Sequence, residues 1–457
     1  MIPEDLRRGN FGSKVGFILA AAGSAIGLGN IWRFPYTAGE SGGGAFVLVY
    51  LLWVVLLGVP VLLAELAIGR ASQRNPVGAF RALAPGSWWP AVGGLGVLTG
   101  FGILAFYSVV AGWTLGYLAK SISGGIRELG TPEASRAAFG QLIGDPLSAL
   151  FLTFLFLLLT VLVVRGGVQG GIERASKFLM PLFFLLLVVL AVRAVTLPGA
   201  SEGLRFLFHF EWEKITPRVA MTALGQALFS LSLGMGAMIT YGSYLPRSEN
   251  LPFSGASVAF FDTLIALLAG LIIFPAVFAT GGKPDAGPGL VFVVMPTVFD
   301  KLPLGVLFAV AFYALLAIAA LTSTISLLEV IVAYLVDERG WDRSRASFSV
   351  GGACFVVAVP SALSQGGAAW LSEGGLFGLD FLTLQSILFG NYALSIGALL
   401  ICLFVGWRWG TAPAVEEMRR GAGELRTAAL WSFLVRYFCP LAVAAVLAFI
   451  VVTRQYF

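Results

Sequence analysis

Gly23-Ser24-Ala25-Ile26-Gly27-Leu28-Gly29-Asn30-Ile31-Trp32-Arg33-Phe34-Pro35 lies inside the first long apolar run, yet it carries three glycines, an asparagine and an arginine to membrane depth. Glycine weakens a helix. In hydrocarbon a freed N–H or C=O has no water to bond, so a break is tolerated only where it lines a cavity buried in protein. An unwound turn over residues 26–30 would aim several carbonyls and amides, with the Asn30 side-chain oxygen, at one small volume. Such a volume suits a hard cation and a carboxylate together. Glycines at four-residue spacing also let two helices approach closely, and for the glycines alone both readings stand. Arg33 favours the functional one, because an intramembrane arginine calls for a carboxylate partner.

The whole chain supports a membrane setting. Of 457 residues, 58% are hydrophobic and only 12% charged, with a mean hydropathy of +0.90, which is far from a soluble domain. The net charge of +5 does not point to nucleic acid, because the basic residues sit in short loops and form no continuous stripe. Arg7, Arg8 and Lys14 precede the first apolar run, Arg70, Arg74 and Arg81 follow the second, and Arg165, Arg174 and Lys177 follow the fourth. Arg339, Arg343, Arg345, Arg408, Arg419, Arg420 and Arg426 fall on the same alternating side. By the positive-inside rule that side, with the N-terminus, is expected to be cytoplasmic. Cys354, Cys402 and Cys439 lie in apolar runs and read as packing residues. Without a glycosylation acceptor or a cleavable leader, the expected location is a bacterial inner membrane, multi-pass.

Runs long enough to cross about 30 Å of hydrocarbon fall at roughly 14–37, 43–69, 89–123, 147–164, 175–196, 218–246, 254–280, 303–336, 346–364, 379–407 and 427–453. Eleven spans place the C-terminus outside. Segments 124–146 and 197–217 read as external loops with short amphipathic pieces, and 281–302 as an external loop able to fold back as a lid. The sixth run repeats the peculiarity of the first: Gln226-Ala227-Leu228-Phe229-Ser230-Leu231-Ser232-Leu233-Gly234-Met235-Gly236 puts two hydroxyls and two glycines in mid-membrane. Two interrupted helices, each opening a five-helix half, point to an inverted-repeat transporter with its site at the midplane. In the eighth run Ala319, Thr322 and Ser323 stand at i, i+3 and i+4. They share one helix face and offer an oxygen-only set to a hard cation, although such hydroxyls also bond back to their own helix.

Ser24-Ala-Ile-Gly-Leu-Gly-Asn-Ile-Trp-Arg-Phe-Pro, Ser232-Leu-Gly-Met-Gly and Leu321-Thr-Ser-Thr together resemble the neurotransmitter:sodium symporters, and most closely their eleven-span bacterial amino-acid transporters. The resemblance covers essentially the whole chain. It implies an all-α membrane fold of one domain, a 5+5 inverted repeat (14–196 and 218–407) followed by an eleventh helix (427–453). It further implies two sodium ions. The first would be held by Ala25, Asn30, Ser230, Asp262 and the substrate carboxylate, the second by the carbonyls of Gly23, Ile26 and Ala319 and the hydroxyls of Thr322 and Ser323. The substrate would lie among Ser24, Gly27, Leu28, Gly29, Ile103, Tyr107, Phe229, Ser230, Ser232, Met235 and Leu327, with Tyr107 donating to its carboxylate. An external gate would pair Arg33 with Asp380 over Tyr107 and Phe229. An internal gate would pair Arg8 with Asp337, supported by Tyr244. Phe11 stands where the family usually has an anchoring tryptophan. Gly171 and Pro181, with nine residues between them, match a family pattern for local unwinding near the second sodium.

The expected activity is sodium-coupled symport of a neutral, hydrophobic or aromatic L-amino acid by alternating access. Gly27 leaves room for a substrate carboxylate where the family's monoamine carriers place an aspartate. A carrier of a smaller zwitterion such as glycine or alanine, or a channel, are the alternatives, and saturable sodium-driven flux separates carrier from channel. An enzyme is disfavoured, since His209 is the sole histidine and there is no HExxH, CxxC or acidic pair on a shared helix face. No obligatory protein partner is evident; the partners are the bilayer and the amino acid. Asp262 occupies a position where the animal members have asparagine and recruit chloride. A fixed carboxylate would offset one sodium charge at the low-dielectric midplane, so no chloride requirement is expected. A protonated Asp262 serving helix packing is the plainer alternative.

Overall fold

The computed structural model describes residues 10–284, 289–372 and 378–456, and among them every regular element is helical. Nine helices among the described residues are long and apolar enough to cross a membrane. They are Gly44–Ser72, Pro90–Ile122, Pro146–Val164, Val168–Val195, Leu251–Ala279, Gly305–Arg339, Arg343–Leu363, Phe381–Arg408 and Ala428–Thr453. These are spans two to five and seven to eleven. The first span is a bent pair, Lys14–Ala25 and Gly29–Glu40, with axes 48° apart. The sixth is two short helices, Pro217–Ser230 and Ala237–Gly242, separated by six non-helical residues. The broken spans are therefore the two that the glycine pattern marks.

The first break is shorter than expected. Ile26 leaves the helix at ψ 106°, only residues 26–27 are non-helical, and the chain then turns through a π-helix over Gly29–Arg33. The reason is a cap. The Asn30 side-chain oxygen accepts the Gly27 N–H at 3.0 Å, satisfying a donor that the second half-helix would otherwise leave orphaned. The sixth-span break is a true left-handed excursion, with Ser232 at φ 55°, Gly234 at 82° and Gly236 at 78°. Glycine tolerates this and serine does so at a cost. Gly234 N donates to the buried Glu65 carboxylate of the second span at 2.7 Å.

The tenth span presses directly on that break. A Cβ at Gly234 would lie 2.1 Å from the Leu394 carbonyl, and one at Gly397 would lie 2.1 Å from the Gly234 carbonyl. The third and eighth spans pack against each other on the other side of the centre. The fourth, fifth and eleventh keep most of their apolar surface outward, where lipid would solvate them. Segment 281–302, expected as a loop, is largely helical in its second half: Leu290–Val294 and Met295–Asp300 bury an apolar face, and Tyr313 donates to the Val291 carbonyl. The loops 124–146 and 197–217 do carry the short helices expected, Pro132–Gly144 and Ala200–Phe208.

On the arginine-rich face, Phe11 packs edge-on against Phe17 and Tyr241. Glu173 accepts from Gly12 N at 2.7 Å and Ser13 Oγ at 2.9 Å, and pairs with Lys177. A carboxylate and a ring thus hold the segment that the missing tryptophan would anchor. Glu173 closes the π-helix Val168–Glu173, in which a Cβ on Gly171 would meet the Val163 carbonyl at 2.0 Å. Pro181 lies seven positions into the following helix, where it withholds a backbone donor.

Gly397→Ala should lower the thermal unfolding midpoint in detergent by several degrees, because its methyl has backbone to displace. Gly352→Ala, which meets nothing within 4 Å, should leave the midpoint unchanged or raise it. Equal midpoints for the two variants would contradict the tight crossing of the sixth and tenth spans.

Candidate ion and substrate site

Asn30, Ser230 and Asp262 come from three spans and meet with none of them exposed beyond 1%. Asn30 Nδ2 donates to Asp262 Oδ1 at 2.7 Å, to the Asp262 carbonyl at 3.0 Å and to Ser230 Oγ at 3.0 Å. Ser230 Oγ in turn lies 2.8 and 3.0 Å from the two Asp262 carboxylate oxygens. Tyr50 OH completes the ring at 3.3 Å from both Asp262 Oδ2 and Ser230 Oγ. A carboxylate this deep is costly unless hydrogen-bonded, and here every neighbour offers it a donor. Gln226 stands above, its amide donating to the Gly29 carbonyl at 2.8 Å.

A second group joins the first span to the eighth. Thr322 Oγ1 lies 3.4 Å from the Ile26 carbonyl and 3.0 Å from that of Ala319, while Ser323 Oγ reaches the carbonyls of Ser24 and Ile26 at 3.2 and 3.3 Å. Gly23 faces the same group, since a Cβ there would sit 3.3 Å from Thr322 Cβ. All five residues expected at the second ion are therefore gathered in one place, all oxygen donors and no charge, a set that suits a hard monovalent cation.

Between the groups lies a small cavity of about 20 Å³, lined by Ala25, Gly27, Gly29, Ile103, Tyr107, Phe229, Ser232, Met235, Ser323 and Leu327. Eight of these were expected around the substrate, and Ala25 and Ser323 around sodium. Three expected lining residues are engaged beside the cavity. Leu28 N donates to Tyr107 OH at 2.7 Å, the Ser24 carbonyl accepts from Ser232 Oγ at 3.1 Å, and Ser230 turns to Asp262. The Ser24 hydroxyl itself is buried with no hydrogen-bond partner. A Cβ at Gly27 would lie 2.3 Å from Ser323 Oγ and 2.6 Å from Tyr107 OH, so a methyl there has to displace both hydroxyls.

The Arg33 guanidinium lies 4.3 Å over the Phe229 ring, capping the cavity. Beyond it opens a vestibule of about 850 Å³ lined by Trp32, Tyr36, Trp113, Phe139, Gln365, Asn391 and Tyr456, among others. Asp380 caps the helix at Phe381 and accepts from Thr383 Oγ1 at 2.6 Å and Gln365 Nε2 at 2.8 Å. On the opposite side Asp337 accepts from Asn75 N and Nδ2 at 3.1 and 3.0 Å. Tyr244 donates to Glu329 at 2.5 Å, and Glu329 is ion-paired with Arg343. Arg8, the remaining gate residue, lies outside the described residues.

Three residues of this site were not singled out from the sequence. Tyr50 gives no signal, since a tyrosine in an apolar run looks like core. Glu65 and Glu329 do: each is a lone acid inside an apolar run, which calls for a partner, and each proves to hold a residue of the sixth-span region, Gly234 or Tyr244.

Broken helices, buried oxygen clusters and a capped central cavity define a membrane carrier of small solutes. The sequence matches the Sodium:neurotransmitter symporter family over residues 8–127 and 142–456. It is 43% identical over 435 residues to an uncharacterized sodium-dependent transporter of Bacillus subtilis, covering 95% of this chain and 96% of that one. A second such transporter, of Haemophilus influenzae, is 37% identical over 89% and 91%. The crystal structure of MhsT in complex with L-phenylalanine superposes with a TM-score of 0.90 at 45% identity, covering 97% and 99% of the two chains. The chain belongs to the sodium:neurotransmitter symporter family and is a sodium-dependent transporter, not an enzyme.

Gly27→Ala places a methyl against Ser323 and Tyr107, an overpacking cost of about 1–3 kcal/mol. Equilibrium binding of amino acid in sodium should weaken about ten-fold or more. Unchanged affinity would show that the unwound segment does not touch the substrate.

Proposed function

We propose that the protein carries a neutral, hydrophobic or aromatic L-amino acid inward with two sodium ions, by alternating access and without chloride. The observation that supports this most is the joining of the first-span break to the sixth and seventh spans through Asn30–Ser230–Asp262 and to the eighth through Ile26–Thr322–Ser323. The first sodium replaces the hydrogen bonds among Asn30, Ser230 and Asp262: the amide turns its oxygen inward, and the Ala25 carbonyl and the substrate carboxylate complete the shell. Substrate and ion then share an oxygen, so each strengthens the other by linkage. The second sodium bridges Gly23, Ile26 and Ala319 to Thr322 and Ser323. Its loss frees the first half-helix, and the π-turn at Gly171 gives water a route to it.

At about 20 Å³ the central cavity holds roughly one water molecule, so the amino acid enters as Phe229 and Arg33 move toward the vestibule. Ile103, Met235 and Leu327 give the side chain an apolar, pliable lining. The L-phenylalanine with which MhsT was crystallised fits the same class. The arginine-rich face is cytoplasmic, with the C-terminus outside.

Asn30→Ala should abolish sodium-dependent uptake in proteoliposomes while the purified protein stays monodisperse, and normal transport would refute the first ion site. In a screen of the twenty amino acids, leucine, phenylalanine and tryptophan should bind only with sodium, and selective binding of glutamate or lysine would contradict the pocket. Uptake should persist when chloride is replaced by gluconate. A large loss would remove Asp262 from its charge-balancing role, whereas chloride dependence gained on removing the Asp262 charge with Ala266→Ser would support it.

A further inference from the structure

Arg436 lies eight residues beyond Ala428 in the eleventh span, about 12 Å along the helix. Among the described residues neither it nor Arg408, at the end of the tenth span, has an aspartate or glutamate within ion-pair distance. Glu417, on the connecting helix Thr411–Ala422, is committed to Arg70 and Arg420. Arg436 Nε is buried without a hydrogen-bond partner. The guanidinium stacks over Trp407 at 4.6 Å and Tyr437 at 5.6 Å, and Trp407 Nε1 donates to the Arg436 carbonyl at 3.2 Å. Gly406 lets the two spans touch, since its Cβ would lie 3.0 Å from Arg436 Cα. Trp407 therefore emerges beside Arg436, and Arg408 follows it as the last residue of the tenth span.

This face is open to lipid: Trp407, Phe433 and Tyr437 are 57%, 55% and 43% exposed. Two arginines without acids at the edge of the hydrocarbon need an anion from outside the chain. Side chains on a helix lean toward its N-terminus, and for the eleventh span that direction leads to the arginine-rich face, so Arg436 reaches toward the headgroups. Two exposed interfacial aromatics flank the cations. A guanidinium binds a phosphodiester through paired N–H groups, and basic residues between spans near the cytoplasmic edge of the membrane are suited to an anionic headgroup.

We propose that Arg436 and Arg408, with Trp407 and Tyr437, form a binding site for the phosphodiester of an anionic glycerophospholipid between the tenth and eleventh spans. The site lies away from the transport pathway, and it stands or falls independently of substrate and coupling ion.

The test uses the full chain, delipidated in a neutral detergent and titrated with dioleoyl phosphatidylglycerol, dioleoyl phosphatidylcholine or inorganic phosphate. Bound lipid is counted by native mass spectrometry and the thermal midpoint is followed in parallel. Phosphatidylglycerol should be retained and raise the midpoint, and phosphatidylcholine should do neither. Arg436→Leu or Arg408→Leu should each weaken retention about five-fold and the double variant more than twenty-fold, from about 1 kcal/mol per cation. Arg436→Lys, which keeps the charge, should retain most of the affinity and covers the case in which Arg436→Leu fails to fold. Equal retention of both lipids, full retention by the double variant, or displacement of phosphatidylglycerol by millimolar inorganic phosphate would each overturn the assignment.

Discussion

Backbone groups freed inside a membrane have to be satisfied by protein, and the two helix breaks of this chain satisfy them with side chains from their own span and from others. Asn30 caps the first break by taking the Gly27 N–H. Glu65 takes the Gly234 N–H in the second. Ser232 and Ser323 both bond the Ser24 carbonyl, and Tyr107 meets Leu28 N. Apart from the local Asn30 cap, each bond that makes a break tolerable also ties it to a different span. The centre of the molecule is therefore held by exchangeable polar contacts rather than by continuous helices, which is what a carrier that opens alternately to two sides requires.

In the proposed mechanism the same contacts account for coupling without a separate relay. Asn30 belongs to the first break, Ser230 ends the helix before the sixth-span break, and Asp262 is in the seventh span. An ion that replaces their mutual hydrogen bonds must compete with a satisfied network, and on the proposed mechanism a substrate carboxylate supplies the further ligand that lets it do so. A carrier needs that conditionality, because an ion bound tightly alone would leak. The group at Ile26, Thr322 and Ser323 joins another pair of spans, so the two ions proposed would bias different motions. Tight backbone crossings such as Gly234 with Gly397 leave little room for intermediate packing, which favours discrete states over gradual deformation.

Much of this was legible in the sequence, because the membrane makes exceptions conspicuous. Glycines and Asn30 in the first run, Ser230 to Gly236 in the sixth and the Ala319, Thr322, Ser323 face in the eighth are each improbable as plain apolar spans. What could not be read depends on long-range geometry. The first break is only residues 26–27 because Asn30 folds back on it, and nothing local distinguishes a capping asparagine from a ligand. π-turns such as Gly29–Arg33 have no sequence signature of their own. Tyr50 is an ordinary aromatic until Asp262 is placed beside it, and the helix at Met295–Asp300 looks like loop because glycine and proline precede it. Glu65 and Glu329 were visible as lone acids, although only the fold shows which element each one holds.

The most direct measurement is reciprocal binding on the purified protein: phenylalanine affinity as a function of sodium, and sodium affinity with and without phenylalanine. A shared carboxylate at the first ion requires each ligand to tighten the other, by factors that linkage makes equal, with potassium giving none. If phenylalanine binds equally well in potassium, or tightens no sodium when it binds, the substrate and the ion do not share a site.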